Sequence, residues 1–254
     1  MINVAISGYC GKMGQVVSRM CGEAGNFNIT AGFDVIAPPA GDVPVFSSPM
    51  DFTGDADVVI DFSSPKALPA LIEFCSARSV PLVLCTTGHS DEDMALIKTA
   101  SEKIPVFKSG NMSLGINLLS ELVKKAAQVL GGNFDVEIIE RHHKMKVDAP
   151  SGTAFMLADA AASGLPYKPE YKFERHSTRE KRSKAEIGIS AIRGGTIVGE
   201  HEVIFAGPDE IVELRHSALS REVFANGAVA AARFMAGVTA PGMYAMSDVL
   251  ADVI

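Results

Sequence analysis

The segment "ERHHKMKVDAPSGTA" (Glu140–Ala154) sets two adjacent histidines and three cationic side chains, Arg141, Lys144 and Lys146, ahead of a turn of small residues. The chain as a whole carries a formal net charge of −7, so this cluster runs against the background. Histidine exchanges protons near neutrality, with an unperturbed pKa of about 6.5. Successive residues on an extended chain point to opposite sides, so one of His142 and His143 can face a pocket as a proton donor. Ser151, Gly152 and Thr153 open a helix that Pro150 leads into, and free N–H groups and hydroxyls there suit a carboxylate. One carboxylate on that helix start and another beside Lys146 and a histidine would hold a small dicarboxylate. The plainer alternative is a row of solvated cations beside an ordinary capped helix.

No metal is expected here. Adjacent histidines rarely share one ion, and no cysteine or third histidine has fitting spacing. His201 in "VGEHEV" and His216 in "LRHSA" fall on expected strands, where packing or hydrogen bonding is their expected role. Cys10, Cys21, Cys75 and Cys85 are scattered without a CxxC pair. That favours four buried thiols in a reducing cytosol over a disulfide framework.

A second cluster lies near the N-terminus. "SGYCGKMG" places Gly8, Gly11 and Gly14 between an apolar strand and a helix. Glycine there permits a tight turn and close approach of backbone to a pyrophosphate at a helix N-terminus. The spacing is GxxGxxG, with Cys10 where the more common GxGxxG has its second glycine. Asp34 ends the second strand, at the distance where a carboxylate binds the hydroxyls of an adenosine ribose. Val35 beside it is not the arginine that would favour a 2′-phosphate, so NADH is favoured over NADPH, with Lys12 leaving dual use open. "DFSSP", with Phe62 and Ser63, and "CTTGH", with Thr86, Thr87 and Gly88, offer small hydroxyls and backbone groups at two further strand ends. In an open α/β sheet a ligand lies across such ends.

The elements that must position these groups change character along the chain. Strands "INVAIS", "FNITAGFD", "ADVVIDFS", "VPLVLCTTG" and "IPVFKSGN" alternate with helical spacing at Met13, Val16, Val17 and Met20, at Leu68, Leu71, Ile72 and Cys75, and at Met94 and Ile97. That repetition predicts a parallel sheet with helical crossovers. From Ser113 a long helix is expected, with Leu118, Leu119, Leu122 and Val123 on its apolar face. The strand "DVEIIER", the histidine segment and the helix "TAFMLADAAAS" follow. Leu165 to about Lys184 reads as a long surface loop. The strands "IGISAIR", "TIVGEHEVIFA" and "EIVELRH" come without intervening helices, which suggests antiparallel or mixed sheet. A helix "EVFANGAVAAARFMAG" and the tail "MSDVLADVI" close the chain. The fold class is therefore α/β: a Rossmann-like parallel-sheet dinucleotide-binding domain (1–112 and 221–254) plus a central α+β domain (113–220) with a mixed sheet.

Taken together, "EIIERHHKMKVDAPSGTA", "GKMG", "VVIDFSSP", "TTG", "NMSLGIN", "GEHEVIFAG" and "FANGAV" resemble the dihydrodipicolinate reductase family along nearly the whole chain. The resemblance implies NAD(P)H-dependent reduction of 4-hydroxy-tetrahydrodipicolinate to tetrahydrodipicolinate in lysine and diaminopimelate synthesis. It implies a homotetramer built through the central sheet. By matching position, His142 would donate the proton with Lys146 as partner, and His143, Lys146, Ser151, Gly152 and Thr153 would hold the substrate carboxylates. Gly8, Lys12, Met13, Asp34, Thr87, Gly88, Ser109, Asn111 and Met112 would lie near the cofactor. The departures are Cys10 for a small residue, Lys12 for arginine, Asp34–Val35 for an acidic–arginine pair, and "SGN" for "AAN" or "APN".

Two other readings fit the glycine loop: a Rossmann dehydrogenase of another small amino or keto acid, and an NADH-binding sensor without turnover. A sensor has no need of a proton donor beside an anion cradle. The acidic balance disfavours nucleic acid as a partner. With 47% hydrophobic and 21% charged residues, no basic apolar leader, and Arg233 breaking the most apolar late segment, a cytoplasmic, non-membrane protein is expected.

Overall fold

The computed structural model describes residues 1–36 and 41–251. In chain order its main elements are β1 (Ile2–Ser7), α1 (Lys12–Ala24), β2 (Phe27–Phe33), β3 (Val45–Phe46), β4 (Val58–Asp61), α2 (Leu68–Arg78), β5 (Leu82–Leu84), α3 (Asp91–Ser101) and β6 (Pro105–Lys108). Then come α4 (Leu114–Leu130), β7 (Asp135–His142), α5 (Gly152–Gly164), β8 (Glu170–Lys172), β9 (Glu186–Arg193), β10 (Gly199–Ala206), β11 (Ile211–Ala218), α6 (Glu222–Met235), β12 (Gly242–Tyr244) and α7 (Met246–Leu250). The chain forms two compact units, one of Met1–Ser113 with the segment from Glu222 onward, the other of Leu114–Arg221.

The first unit is built on a sheet of order β12-β6-β5-β4-β1-β2-β3, parallel at every pairing. The middle strands β4 and β5 are buried throughout, which is why they read as unbroken apolar runs and not as alternations. Leu68, Leu71, Phe74 and Cys75 of α2 pack on the sheet with Phe33, Phe52, Leu82 and Ile97. The chain leaves β1 to one side for β2 and returns on the other for β4. That reversal opens a crevice at the strands' carboxyl ends, where the glycine loop emerges. Two short strands, β3 and β12, were not anticipated from sequence, and the expected tail runs past Ala251 outside the described residues.

The second unit has a mixed sheet of order β11-β10-β7-β9-β8, with β7, β9 and β8 parallel to one another and β10 antiparallel to both its neighbours. Helices α4 and α5 pack on the face bearing Val136, Ile138, Ile187, Ile189, Val203 and Phe205. Two expectations need correction. The buried stripe of α4 is Ile116, Leu119, Ser120, Val123 and Ala127, whereas Leu118 and Leu122 stay 42% and 45% exposed. The stripe follows i, i+3, i+7, i+11 from Ile116, and Leu118 and Leu122 lie off it. The expected loop from Leu165 to Lys184 contains β8, and it is tied down by Arg175 and Arg182, which pair with Glu137 and Glu186.

Candidate active site

Strand β7 alternates without a break: Val136, Ile138, Glu140 and His142 are buried, and the residues between them are half-buried. The two polar members of that inward row meet each other. His142 Nδ1 lies 2.6 Å from Glu140 Oε2. Glu140 is fully buried, and it also receives Arg193 at both oxygens, at 2.7 and 2.6 Å, and the Ser151 N–H at 3.0 Å. Burial alone would raise the Glu140 carboxyl, but the hydrogen bonds and charges of Arg193 and His142 outweigh it and hold the pKa below the usual carboxylate value. An ionised carboxylate only accepts, so His142 Nδ1 carries the hydrogen. Nε2 is left to exchange a proton. Gly199 makes room for it, because a Cβ there would stand 3.0 Å from Nε2.

Nine positions beyond His142 stands Ser151, the N-cap of α5, whose Oγ accepts the Ala154 N–H at 3.1 Å. The same hydroxyl lies 2.9 Å from His201 Nε2 on β10. His201 in turn stands edge-on to His142, with ring centroids 5.1 Å apart. Burial pushes the His201 pKa down to about 3, with the neighbouring His142 as second cause, so His201 is a neutral imidazole at any working pH. Gly152 is exposed, and a Cβ there would meet nothing within 4 Å. The helix start therefore faces open space at Gly152. Lys146 is held 2.8 Å from Asp148 in the turn between His143 and Ser151. His143 is half-buried, its Nδ1 without a hydrogen-bond partner.

In the first unit the glycine loop closes tightly against its neighbours. Gly8 sits at φ +74°, and a Cβ on it would lie 2.5 Å from the Phe62 carbonyl oxygen. A Cβ on Gly14 would lie 2.1 Å from the Gly8 carbonyl oxygen. Only glycine permits this closure of loop, helix and the end of β4. Helix α1 starts at Gly11 with no side-chain cap and no acidic residue in its first turn, so its N–H groups and dipole are free for phosphate. The Asp34 carboxylate accepts the N–H of Cys10 at 2.9 Å and of Ile36 at 3.0 Å. Thr86 Oγ1 is buried with no partner. These features fit a dinucleotide.

The structure gathers the remaining residues on the same sheet edge. Gly11, Lys12 and Met13 follow β1, Phe62 and Ser63 follow β4, Thr87 and Gly88 follow β5, and Ser109, Asn111 and Met112 follow β6. The Ser109 hydroxyl donates to the Asn111 carbonyl at 2.8 Å, and Asn111 Oδ1 accepts the Ser113 N–H at 2.8 Å, so that loop is braced from within. Thr153 lies in the first turn of α5. His201 and His216 are on strands and pair across β10 and β11. Cys21 and Cys75 are buried as expected, but Cys10 and Cys85 are only half-buried, because both sit in loops at strand ends.

Sequence reasoning missed Glu140, Arg193 and Gly199. Glu140 was legible: it lies two residues before His142 on a strand and so on the same face. Arg193 had no local signal. It reaches the site because β9 pairs with β7 in a register that sets it opposite His142.

Fold and site together define a Rossmann-type dinucleotide-binding unit joined in one chain to an α+β unit with an imidazole–carboxylate pair and an exposed helix start. The family model described as Dihydrodipicolinate reductase, N-terminus, matches residues 2–112, and that described as Dihydrodipicolinate reductase, C-terminus, matches 115–250. The chain belongs to the dihydrodipicolinate reductase family. It is 52% identical over 250 residues to 4-hydroxy-tetrahydrodipicolinate reductase of Caldanaerobacter subterraneus subsp. tengcongensis, covering 98% of each. It is 47% identical over 250 residues to the protein of that name from Clostridium botulinum, again covering 98% of each. Among solved structures, dipicolinate-bound dihydrodipicolinate reductase from Paenisporosarcina sp. TG-14 matches with a TM-score of 0.82 at 26% identity, over 100% of both chains.

Proposed function

We propose that the chain reduces 4-hydroxy-tetrahydrodipicolinate to tetrahydrodipicolinate, consuming NAD(P)H and a proton and releasing water and NAD(P)+. The reaction belongs to lysine and diaminopimelate synthesis. The observation that carries the chemistry is His142, fixed through Nδ1 on a buried carboxylate and beside the open start of α5. The reduced nicotinamide, when bound, supplies the hydride. Gly8, Gly11, Lys12, Met13 and Gly14 hold the pyrophosphate. Asp34 takes the adenosine ribose. Phe62, Ser63, Thr86, Thr87, Gly88, Ser109, Asn111 and Met112 surround the rest of the cofactor.

In the second unit, Ser151, Gly152 and Thr153 bind one substrate carboxylate, and His143 and Lys146 bind the other. The solved relative was obtained with dipicolinate, a ring dicarboxylate, which supports this assignment. After the C4 hydroxyl leaves as water with a C3 proton, hydride adds at C4 of the resulting C3=C4 bond, whose π electrons move onto C3 and take the proton from His142 Nε2. The imidazole is left neutral with Nδ1–H on Glu140, and solvent restores the proton. Orientation supplies much of the acceleration, and the proton transfer about 10²–10⁴-fold.

NADH is the favoured coenzyme, since a fixed Asp34 carboxylate repels a 2′-phosphate. The sheet face opposite α4 and α5 exposes Ile192 and Ile211, which supports a homotetramer assembled through this unit. The four free cysteines suit a reducing cytoplasm, and among the described residues no helix is long and apolar enough to cross a membrane. Purified protein mixed with NADH and freshly made condensation product of aspartate semialdehyde and pyruvate should show NADH loss by absorbance. No loss with either coenzyme contradicts the assignment.

A further inference from the structure

We propose that Glu140 and Arg193 are the positioning pair of the reaction: one buried carboxylate, clamped by one guanidinium, fixes both the tautomer of the proton donor and its register with the anion-binding helix start. The inference rests on the reading that His142 donates the proton.

The geometry is complete at the carboxylate. Oε1 accepts the Ser151 N–H at 3.0 Å and Arg193 Nη2 at 2.6 Å. Oε2 accepts Arg193 Nη1 at 2.7 Å and His142 Nδ1 at 2.6 Å. His142 and Ser151 are the two ends of the segment that carries His143 and Lys146, so a single side chain closes that loop at its base. Arg193 ties it twice more, since Nη2 donates to the Asp148 carbonyl at 2.7 Å, and the N–H of the next residue, Gly194, donates to the His142 carbonyl at 2.9 Å. Fold stability does not call for this arrangement. A buried ion pair is often matched or bettered by apolar residues of similar volume. The neighbouring inward positions of β7, Val136 and Ile138, are apolar and belong to the core. The ion pair stands only where the row reaches His142.

The arrangement dictates two properties. An acceptor-only carboxylate at Nδ1 leaves Nε2 as the nitrogen that exchanges the proton. The carboxylate also stabilises the imidazolium that must exist before donation. The other charged or titratable groups around His142 are Arg193 of β9, His201 of β10 with His216 of β11 behind it, and the Lys146–Asp148 pair of the loop. The cations among them, and the like-charged ring if protonated, oppose that imidazolium; among the groups nearest to it, Glu140 supports it.

Glu140→Gln, checked by circular dichroism and for unchanged NADH affinity, should lower kcat about 10²-fold or more, and move the alkaline limb of the kcat–pH profile down by about one unit or more. Glu140→Gln/Arg193→Met removes both buried charges and so relieves the unpaired guanidinium. If the pair serves only to balance charge, the double variant regains wild-type kcat; as a positioning pair, it stays impaired. Nitrogen NMR of the unaltered protein above neutral pH should find His142 protonated at Nδ1. A folded single or double variant with wild-type kcat and pH limb, or an Nε2–H tautomer, overturns the proposal. His142→Gln run alongside separates the two ideas, because wild-type kcat in that variant removes the proton-donor reading itself.

Discussion

Replacing His201 with glutamine should make the protein less sensitive to acid while leaving it folded at neutral pH. Glutamine Nε2 can stand where the imidazole Nε2 now meets Ser151 Oγ at 2.9 Å, so the cap of α5 keeps a polar partner. The folded-state pKa of His201 is pushed down to about 3, against about 6.5 in the unfolded chain. Between those values the unfolded state binds a proton that the native state refuses. Stability therefore rises with pH through that window and is lost as pH falls. At pH 7.5 the contribution is near zero. At pH 5 the penalty is 1.5 pH units at about 1.4 kcal/mol each, or about 2 kcal/mol. For a chain of 254 residues that is about 4–8 °C in Tm. The assay is calorimetric melting of both proteins at pH 7.5 and pH 5. Acid destabilisation shared by both, such as that of the Glu140 network, cancels in the comparison. The wild type should lose several degrees more than the variant. Equal losses would refute a buried, neutral His201.

Three other perturbations probe the remaining parts of the site. Asp34→Ser should weaken NADH about tenfold and shift the ratio of kcat/KM for NADPH over NADH upward, since the carboxylate held by Cys10 and Ile36 is gone; an unchanged ratio contradicts its placement at the ribose. Gly8→Ala sets a Cβ against the Phe62 carbonyl at a left-handed φ, and should reduce NADH affinity at least about tenfold and stability by about 1–3 kcal/mol, read by calorimetric titration and urea unfolding. Lys146→Ala should raise KM for the dicarboxylate about tenfold with NADH affinity unchanged, and wild-type KM would remove Lys146 from the substrate.

Strands covered on both faces announce themselves as apolar runs, so β1, β4 and β5 could be read directly. β3 and β12 are two and three residues long, too short to show a period, and they exist only because a neighbouring strand offers its edge. β8 is equally short and is held in a polar segment by arginine pairs made across the sheet. The α4 face was misjudged because leucines are dense enough on that helix to fill two adjacent stripes, and only the partner surface decides between them. The site divides in the same way. His142, Lys146 and the Ser151–Thr153 turn are contiguous and carry their chemistry in residue type. Glu140 required the strand's period to be applied to a charged residue. Arg193, 53 positions from Glu140, required the pairing of β7 with β9, which no local pattern encodes.

The account stands on His142 as the group that delivers the proton. The most direct test is steady-state turnover of 4-hydroxy-tetrahydrodipicolinate by His142→Gln beside the unaltered protein, with NADH affinity measured on the same samples. The expected result is kcat lowered at least about tenfold with NADH bound as before. A His142→Gln protein that turns over at the full rate would contradict it.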